Sequence, residues 1–238
     1  INNPPTKSAN LLGWWTFDND TTTAVADSSG NGYDGVASSA NIFKTDTPFG
    51  TGKSIDLNGN QYVAVSDGGQ QTVFNGANAF SISAWVKEWP DGGWEPYVSK
   101  RGESGQGWQI RRRSGDADRM SFTLRGVGND DWYIQRNIND NQWHHIVGTF
   151  GQGYRRGYVD GTMTGEEQRF GSVNMSGSQL VFGARDNSGN YNNGLNIGNH
   201  ANVWLDDVRY YNTALSANEV SSIYGNGNGD VGQSWIQL

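Results

Sequence analysis

The chain has no cysteine among its 238 residues, so no disulfide holds it and its redox compartment stays open. A domain of this length buries enough core to need no such staple. No apolar run approaches the roughly 20 residues of a membrane-spanning helix. Proline is sparse, at five residues, while glycine reaches 34. That balance, with abundant Asn, Asp and Ser, fits many short strands joined by tight turns. Residues 1–10 (INNPPTKSAN) lack the basic start and apolar stretch of a signal peptide and read as a leader, of the kind that begins a mature secreted chain. Residues 11–238 read as a single domain, since all-β domains often run to this length.

Positive charge is also scarce, and it is unevenly placed. Seventeen basic residues face 24 acidic ones, a net of −7. Seven arginines nevertheless fall within 36 residues: Arg101, Arg111, Arg112, Arg113, Arg119, Arg125 and Arg136. An acidic chain argues against general nucleic-acid binding. Cations gathered in one region of an acidic surface focus a field that attracts an anionic partner. Ten tryptophans are many for this length and suit a protein that stacks sugar rings on exposed aromatics.

The apolar pattern is that of strands. Leu11–Phe17 is an aromatic, apolar run, and Asn58-Gly59-Asn60 between two apolar runs predicts a hairpin. In Phe80–Lys87, Phe80, Ile82, Ala84 and Val86 share one face, and Ser81, Ser83, Trp85 and Lys87 the other. The same alternation sets Gln109, Arg111 and Arg113 opposite Trp108, Ile110 and Arg112. It also sets Ser121, Thr123 and Arg125 opposite Met120, Phe122 and Leu124. Trp132–Arg136, Trp143–Phe150, Tyr154–Val159, Leu180–Ala184 and Val203–Tyr211 add further strands, and Asp160-Gly161 marks another turn. Ser216-Ala217-Asn218-Glu219 is a capping box that predicts one short helix ending at Gly225.

Several stretches resemble the laminin G-like jelly-roll domains of the concanavalin A-like superfamily. They are Trp15–Asp18, Asp27–Gly35, Phe80–Lys87, Val98–Lys100, Trp143–Ile146, Tyr158–Gly161 and Leu205–Ser216, in the family's order over about residues 11–225. The resemblance implies an all-β jelly-roll sandwich of two antiparallel sheets, one of them a concave groove. It also implies a structural calcium ion, with Asp18 and Asp206 as ligands and Asn60 as a weaker third. Calcium takes six to eight hard oxygen ligands, which carboxylates, carbonyls and amides supply.

Within that fold, Gln109, Arg111, Arg113, Thr123 and Arg125 are expected on one outward face, with Tyr133, Gln135 and Trp85 as further substrate contacts. Arg101, Arg119 and Arg136 are expected in loops or at the rim. Guanidinium forks bind carboxylates bidentately, so the expected partner is an acidic polysaccharide. Neither nucleic acid nor membrane is expected, and the domain is expected to be a monomer.

Hydrolysis would need a pair of carboxylates flanking the bond, and no groove strand carries one. β-Elimination from a uronate needs different groups. A cation or amide neutralises the uronic carboxylate, here Arg111 with Gln109. A base and an acid then move protons, with Lys100 or His145 as base and Tyr133 or Tyr191 as acid. A lone, cysteine-free jelly roll of this size is similar to the secreted glucuronan lyases of moulds. The alternative expectation is a non-catalytic module that binds acidic polysaccharide. The jelly-roll alginate lyase motifs are absent, and Gln109-Ile110-Arg111 departs from the Gln-Ile-His or Gln-Ile-Val of those enzymes.

Overall fold

A computed structural model describes residues 9–66, 73–76, 78–88, 93–102, 105–113, 119–128, 131–134, 136–174, 176–189 and 194–226. Its strands are β1 (Leu11–Trp15), β2 (Ala24–Val25), β3 (Gly35–Ala37), β4 (Phe43–Lys44), β5 (Ser54–Asn58), β6 (Val63–Val65), β7 (Phe80–Glu88), β8 (Pro96–Lys100) and β9 (Trp108–Arg112). They continue as β10 (Met120–Leu124), β11 (Asp131–Ile134), β12 (His144–Gly151), β13 (Tyr154–Val159), β14 (Thr162–Gln168), β15 (Leu180–Phe182), β16 (Arg185–Asp186), β17 (Ile197–Gly198) and β18 (Asn202–Tyr211). One helix, α1, spans Ala217–Asn226.

Two large antiparallel sheets pack face to face. One runs β14-β13-β12-β7-β18-β5-β4, with β1 also on β18, and the other runs β11-β10-β9-β8-β15-β6-β3-β2. We call them the back and front sheets. The core between them takes alternate residues from each, as the period of two requires. Ile82, Ala84, Val86, Ile146 and Leu205 come from the back sheet, and Val98, Trp108, Ile110, Met120, Phe122 and Leu124 from the front. Aromatic rings knit the layers, with Phe80 at 5.0 Å from Trp108 and 5.7 Å from Phe122.

The capping box forms as the sequence predicts. The Ser216 backbone N–H donates to Glu219 Oε2 at 2.7 Å, and the Glu219 N–H donates back to Ser216 Oγ at 3.4 Å. The helix then lays Val220 and Ile223 on Leu11, Val147, Tyr158, Tyr211 and Leu215, a second cluster on the outer face of the back sheet. The Asp160-Gly161 turn has positive φ at both residues, 49° and 72°, as a tight turn joining β13 to β14 requires.

One turn differs from expectation. Asn58-Gly59-Asn60 does not close a hairpin, because β5 belongs to the back sheet and β6 to the front. Leu57 and Val63 both enter the core, so the chain turns a corner between layers rather than pairing with itself. A local Asn-Gly signal specifies the reversal and leaves the partner open.

Candidate functional site

The front sheet carries an ordered polar face opposite its core face. Register aligns Ser99, Gln109, Thr123 and Asp131 across β8, β9, β10 and β11, and aligns Arg111, Ser121 and Tyr133 in the next row. Their strand neighbours Val98, Ile110, Phe122 and Trp132 pack inward, so alternation sends Ser99, Gln109, Arg111, Ser121, Thr123 and Asp131 to the side away from the core, where all but Asp131 are nonetheless buried.

Arg111 is the centre of the face. Its Nη2 donates to Asp131 Oδ1 at 2.7 Å, and Thr123 Oγ1 donates to the same oxygen at 2.9 Å. Its guanidinium lies over the Trp94 ring at 4.1 Å. With the Gln109 amide oriented to satisfy its neighbours, its carbonyl accepts from Arg111 Nε at 2.9 Å and from Arg101 Nη1 at 2.8 Å. The guanidinium is thus fixed on two edges and one face, and among the described residues Nη1 is the nitrogen left for a ligand.

The charges on this face act on one another. Burial lowers the Arg111 pKa, Asp131 opposes that, and Arg125 and Arg185 lower it further. Arg101 is lowered to about 10 by burial and by the repulsion of Arg125, Arg185 and Arg111, with Asp131 opposing. Burial alone would raise the Asp131 carboxyl, but the charge and hydrogen bond of Arg111, with Thr123 and Arg125, hold it below its usual range. Four arginines, Arg185 reaching in from β16, therefore share one field beside the front sheet.

The structure brings together only part of the expected set. Gln109, Arg111 and Arg125 meet. Arg113 follows the opposite end of β9, where its N–H donates to the Arg119 carbonyl at 3.1 Å. Lys100 falls in register with Trp108, on the core side, and is fully buried. Its Nζ donates to the Ser178 carbonyl at 2.6 Å, so it serves the fold and is not a base beside Arg111.

His145 and Trp85 are paired residues of the back sheet. His145 is fully buried, its Nε2 lies 2.8 Å from Ser83 Oγ, and its ring stacks 6.0 Å from Tyr224 of α1. Burial, with the Arg209 charge, lowers its pKa to about 3. Trp85 packs between Phe49 at 5.6 Å and Tyr224 at 5.6 Å. Packed sheets sit about 10 Å apart, and both residues lie on the far side of both sheets from Arg111. Neither joins the Arg111 face. Tyr133 stands in the Arg111 row by register, and Gln135 and Tyr191 lie outside the described residues.

Asp131, Trp94, Arg101 and Arg185 complete the site without having been assigned to it. Arg185 follows a strand whose neighbour is β8, so topology rather than local pattern places it there. Asp186 anchors that position by accepting from the backbone N–H groups of Gln179, Ser188 and Asn196 at 2.9, 3.0 and 3.1 Å.

Of the expected calcium ligands, Asp18 and Asp206 are brought into one field. Asp206 is raised to about 9 by burial, by Asp207 and by Asp18, and its Oδ2 is buried with no hydrogen-bond partner among the described residues. An orphaned buried carboxylate oxygen near a second carboxylate fits a hard divalent cation. Among the described residues no three His, Cys, Asp or Glu side chains are grouped closely enough to hold a metal, so carbonyl oxygens would have to complete the set. Asn60 does not belong to it. Asn58 pairs with Asn202, which sets the following turn beyond the far end of the pairing that leads to Asp206.

Comparison with known proteins follows this geometry. The family model for the concanavalin A-like lectin/glucanases superfamily matches residues 57–221, more than half of the chain, and the chain belongs to that family. No curated protein matches. Domain 4 of AbnA, an extracellular arabinanase of glycoside hydrolase family 43 from Geobacillus stearothermophilus, solved with arabinotriose, is similar at 19% identity and TM-score 0.67. That match covers 94% of this chain and 98% of that one. The binding domain of Paraclostridial Mosquitocidal Protein 1 is similar at 19% identity and TM-score 0.65, over 90% of this chain and 52% of that one. The binding domain of botulinum neurotoxin DC in complex with SialylT is similar at 17% identity and TM-score 0.66, over 91% and 51%. The chain spans about half the length of these toxin domains. At such identities the likeness shows the fold.

Proposed function

We propose that this member of the concanavalin A-like lectin/glucanase superfamily binds an acidic polysaccharide across the outward face of the front sheet, with Arg111 as its central contact. The observation that carries this reading is the fixed guanidinium, held by Asp131 and Gln109 and backed by Trp94. An arginine positioned before the ligand arrives loses little freedom on binding, and charge-assisted bonds to a carboxylate are the strong ones. Arg101, Arg125 and Arg185 add the field that draws in a polyanion. Relatives of the same fold support a glycan as the ligand, since one was solved with arabinotriose and another with SialylT. Titration of polyglucuronate into the domain and into an Arg111→Ala variant tests the reading, which requires binding by the first and a marked weakening in the second.

A second reading, β-elimination from a polyuronate such as glucuronan, draws on one observation. Gln109 and Arg111 sit side by side, as the neutralising pair of a lyase would. Lys100 and His145, the base candidates, lie off that face, which weighs toward binding and leaves Tyr133, in the Arg111 row by register, and Tyr191, outside the described residues, as the proton-transfer candidates of the lyase reading. Incubation with glucuronan, alginate and ulvan, followed by the ultraviolet absorbance of unsaturated uronates, separates the two. A structural calcium between Asp18 and Asp206 belongs to either reading.

A further inference from the structure

Arg111 accounts for a carboxylate, and three more arginines stand around it. Arg101 and Arg125 flank the start of β9. Lys100 and Leu124 both pair with Trp108, and the Arg125 N–H donates to the Gly107 carbonyl at 3.0 Å. The strand position between them is therefore Gly107, which has no side chain. Its φ of 77° and a Lys100 carbonyl only 1.9 Å from where a Cβ would sit keep it so. Adjacent strands lie about 4.8 Å apart, so the backbones of the two arginines stand roughly 10 Å apart with Gly107 between them, and the Ser176 side chain packs against that glycine. Arg185 approaches the same space from β16, where its Nε donates to Asn187 Oδ1.

Two buried polar atoms border this space. Ser99, fully buried in the Gln109 row, has an Oγ with no hydrogen-bond partner among the described residues, and the same holds for Arg101 Nε. Buried donors are ordinarily satisfied, and an orphan beside a cation cluster is what a ligand would fill.

We propose that Arg101, Arg125 and Arg185, with Ser99, form a subsite for a sulfate ester carried on the polysaccharide, separate from the carboxylate contact at Arg111. A carboxylate offers two oxygens in one plane, which a single fork satisfies. A sulfate half-ester offers three terminal oxygens in a tetrahedral array, which suits donors arriving from several directions, as an ester phosphate does opposite an arginine cluster. The mutual repulsion of the arginines around Arg101 is relieved by such an anion. This inference rests on the front-sheet face being the glycan site.

The test uses heparin, fully desulfated and N-acetylated heparin, and polyglucuronate at one ionic strength. Heparin should bind about tenfold or more tighter than its desulfated form, the scale of one or two added charge-assisted hydrogen bonds. Arg101→Lys and Arg185→Lys, which keep the charge and lose the fork, should shrink that ratio toward one, the ratio being read within each variant so that any general change in polyanion affinity cancels. Thermal unfolding of each variant confirms that it folds. Equal affinity for the two heparins overturns the subsite, as does a preference that survives both variants, and in either case polyglucuronate binding weakened in Arg111→Ala still upholds the face. If none of the polymers binds, the reading beneath fails and the subsite falls with it.

Discussion

Arg111 and Asp131 join across three neighbouring strands, Nη2 to Oδ1 at 2.7 Å, with Thr123 on the strand between them donating to the same oxygen. The pair is an orienting device. Asp131 and Gln109 hold two nitrogens of one guanidinium, and the Trp94 ring supports its face.

Arg111→Ala should weaken polyglucuronate binding by about 10- to 100-fold, the range of a hydrogen-bonded charge contact, in calorimetric titration. Arg111→Lys should recover little of it, because a point charge cannot be held on two edges. Near-full recovery by lysine would mean that the face counts charge without reading geometry.

Trp94→Ala should leave stability within about 0.5 kcal/mol, since Trp94 is 38% exposed. Affinity for the same polymer should fall about two- to fivefold as Arg111 loses its backing, the size of an exposed cation–π contact. Thermal unfolding beside titration reads both. An unchanged affinity would remove Trp94 from the account.

His145 is held neutral, with a folded pKa of about 3 against an ordinary 6.5. Below pH 6.5 the unfolded chain takes up a proton that the folded chain refuses until pH 3. Stability should thus fall as pH drops through that window, by up to about 1.4 kcal/mol per pH unit from this group. Denaturant unfolding of His145→Gln across the window should show a shallower fall than the parent, and glycan affinity at neutral pH should not change. Equal slopes would contradict the burial argument, and lost affinity would return His145 to the site.

Calcium between Asp18 and Asp206 should raise the unfolding temperature of chelator-treated protein, and stabilisation of about 2.7 kcal/mol is expected at a concentration one-hundredfold above Kd. Asp206→Asn should abolish that rise and Asn60→Ala should keep it. A rise that persists in Asp206→Asn would move the ion elsewhere.

The outward placement of Gln109, Arg111 and Thr123 was legible because a period of two leaves no choice once Trp108, Ile110 and Phe122 are inside. The capping box at Ser216 was legible because it is local. What alternation cannot say is which sheet a strand joins. Phe80–Lys87 and Trp108–Arg112 alternate equally well, yet they lie in different layers, and this separates Trp85 and His145 from Arg111. Lys100 was offered as a base by residue type alone, and only its pairing with Trp108 shows that it sits on the core side. Arg185 needed the whole topology, because it reaches the site from β16, far along the chain from β8 and β9.

The central claim is that the front-sheet face selects an acidic glycan through Arg111. Its most direct test is calorimetric titration of polyglucuronate and of an uncharged β-1,4-glucan of equal length into the domain and into Arg111→Ala. The account requires binding of polyglucuronate that weakens with salt and falls about 10- to 100-fold in the variant, and little or no binding of the glucan. Equal binding of both polymers, or polyglucuronate affinity unchanged in Arg111→Ala, would contradict it.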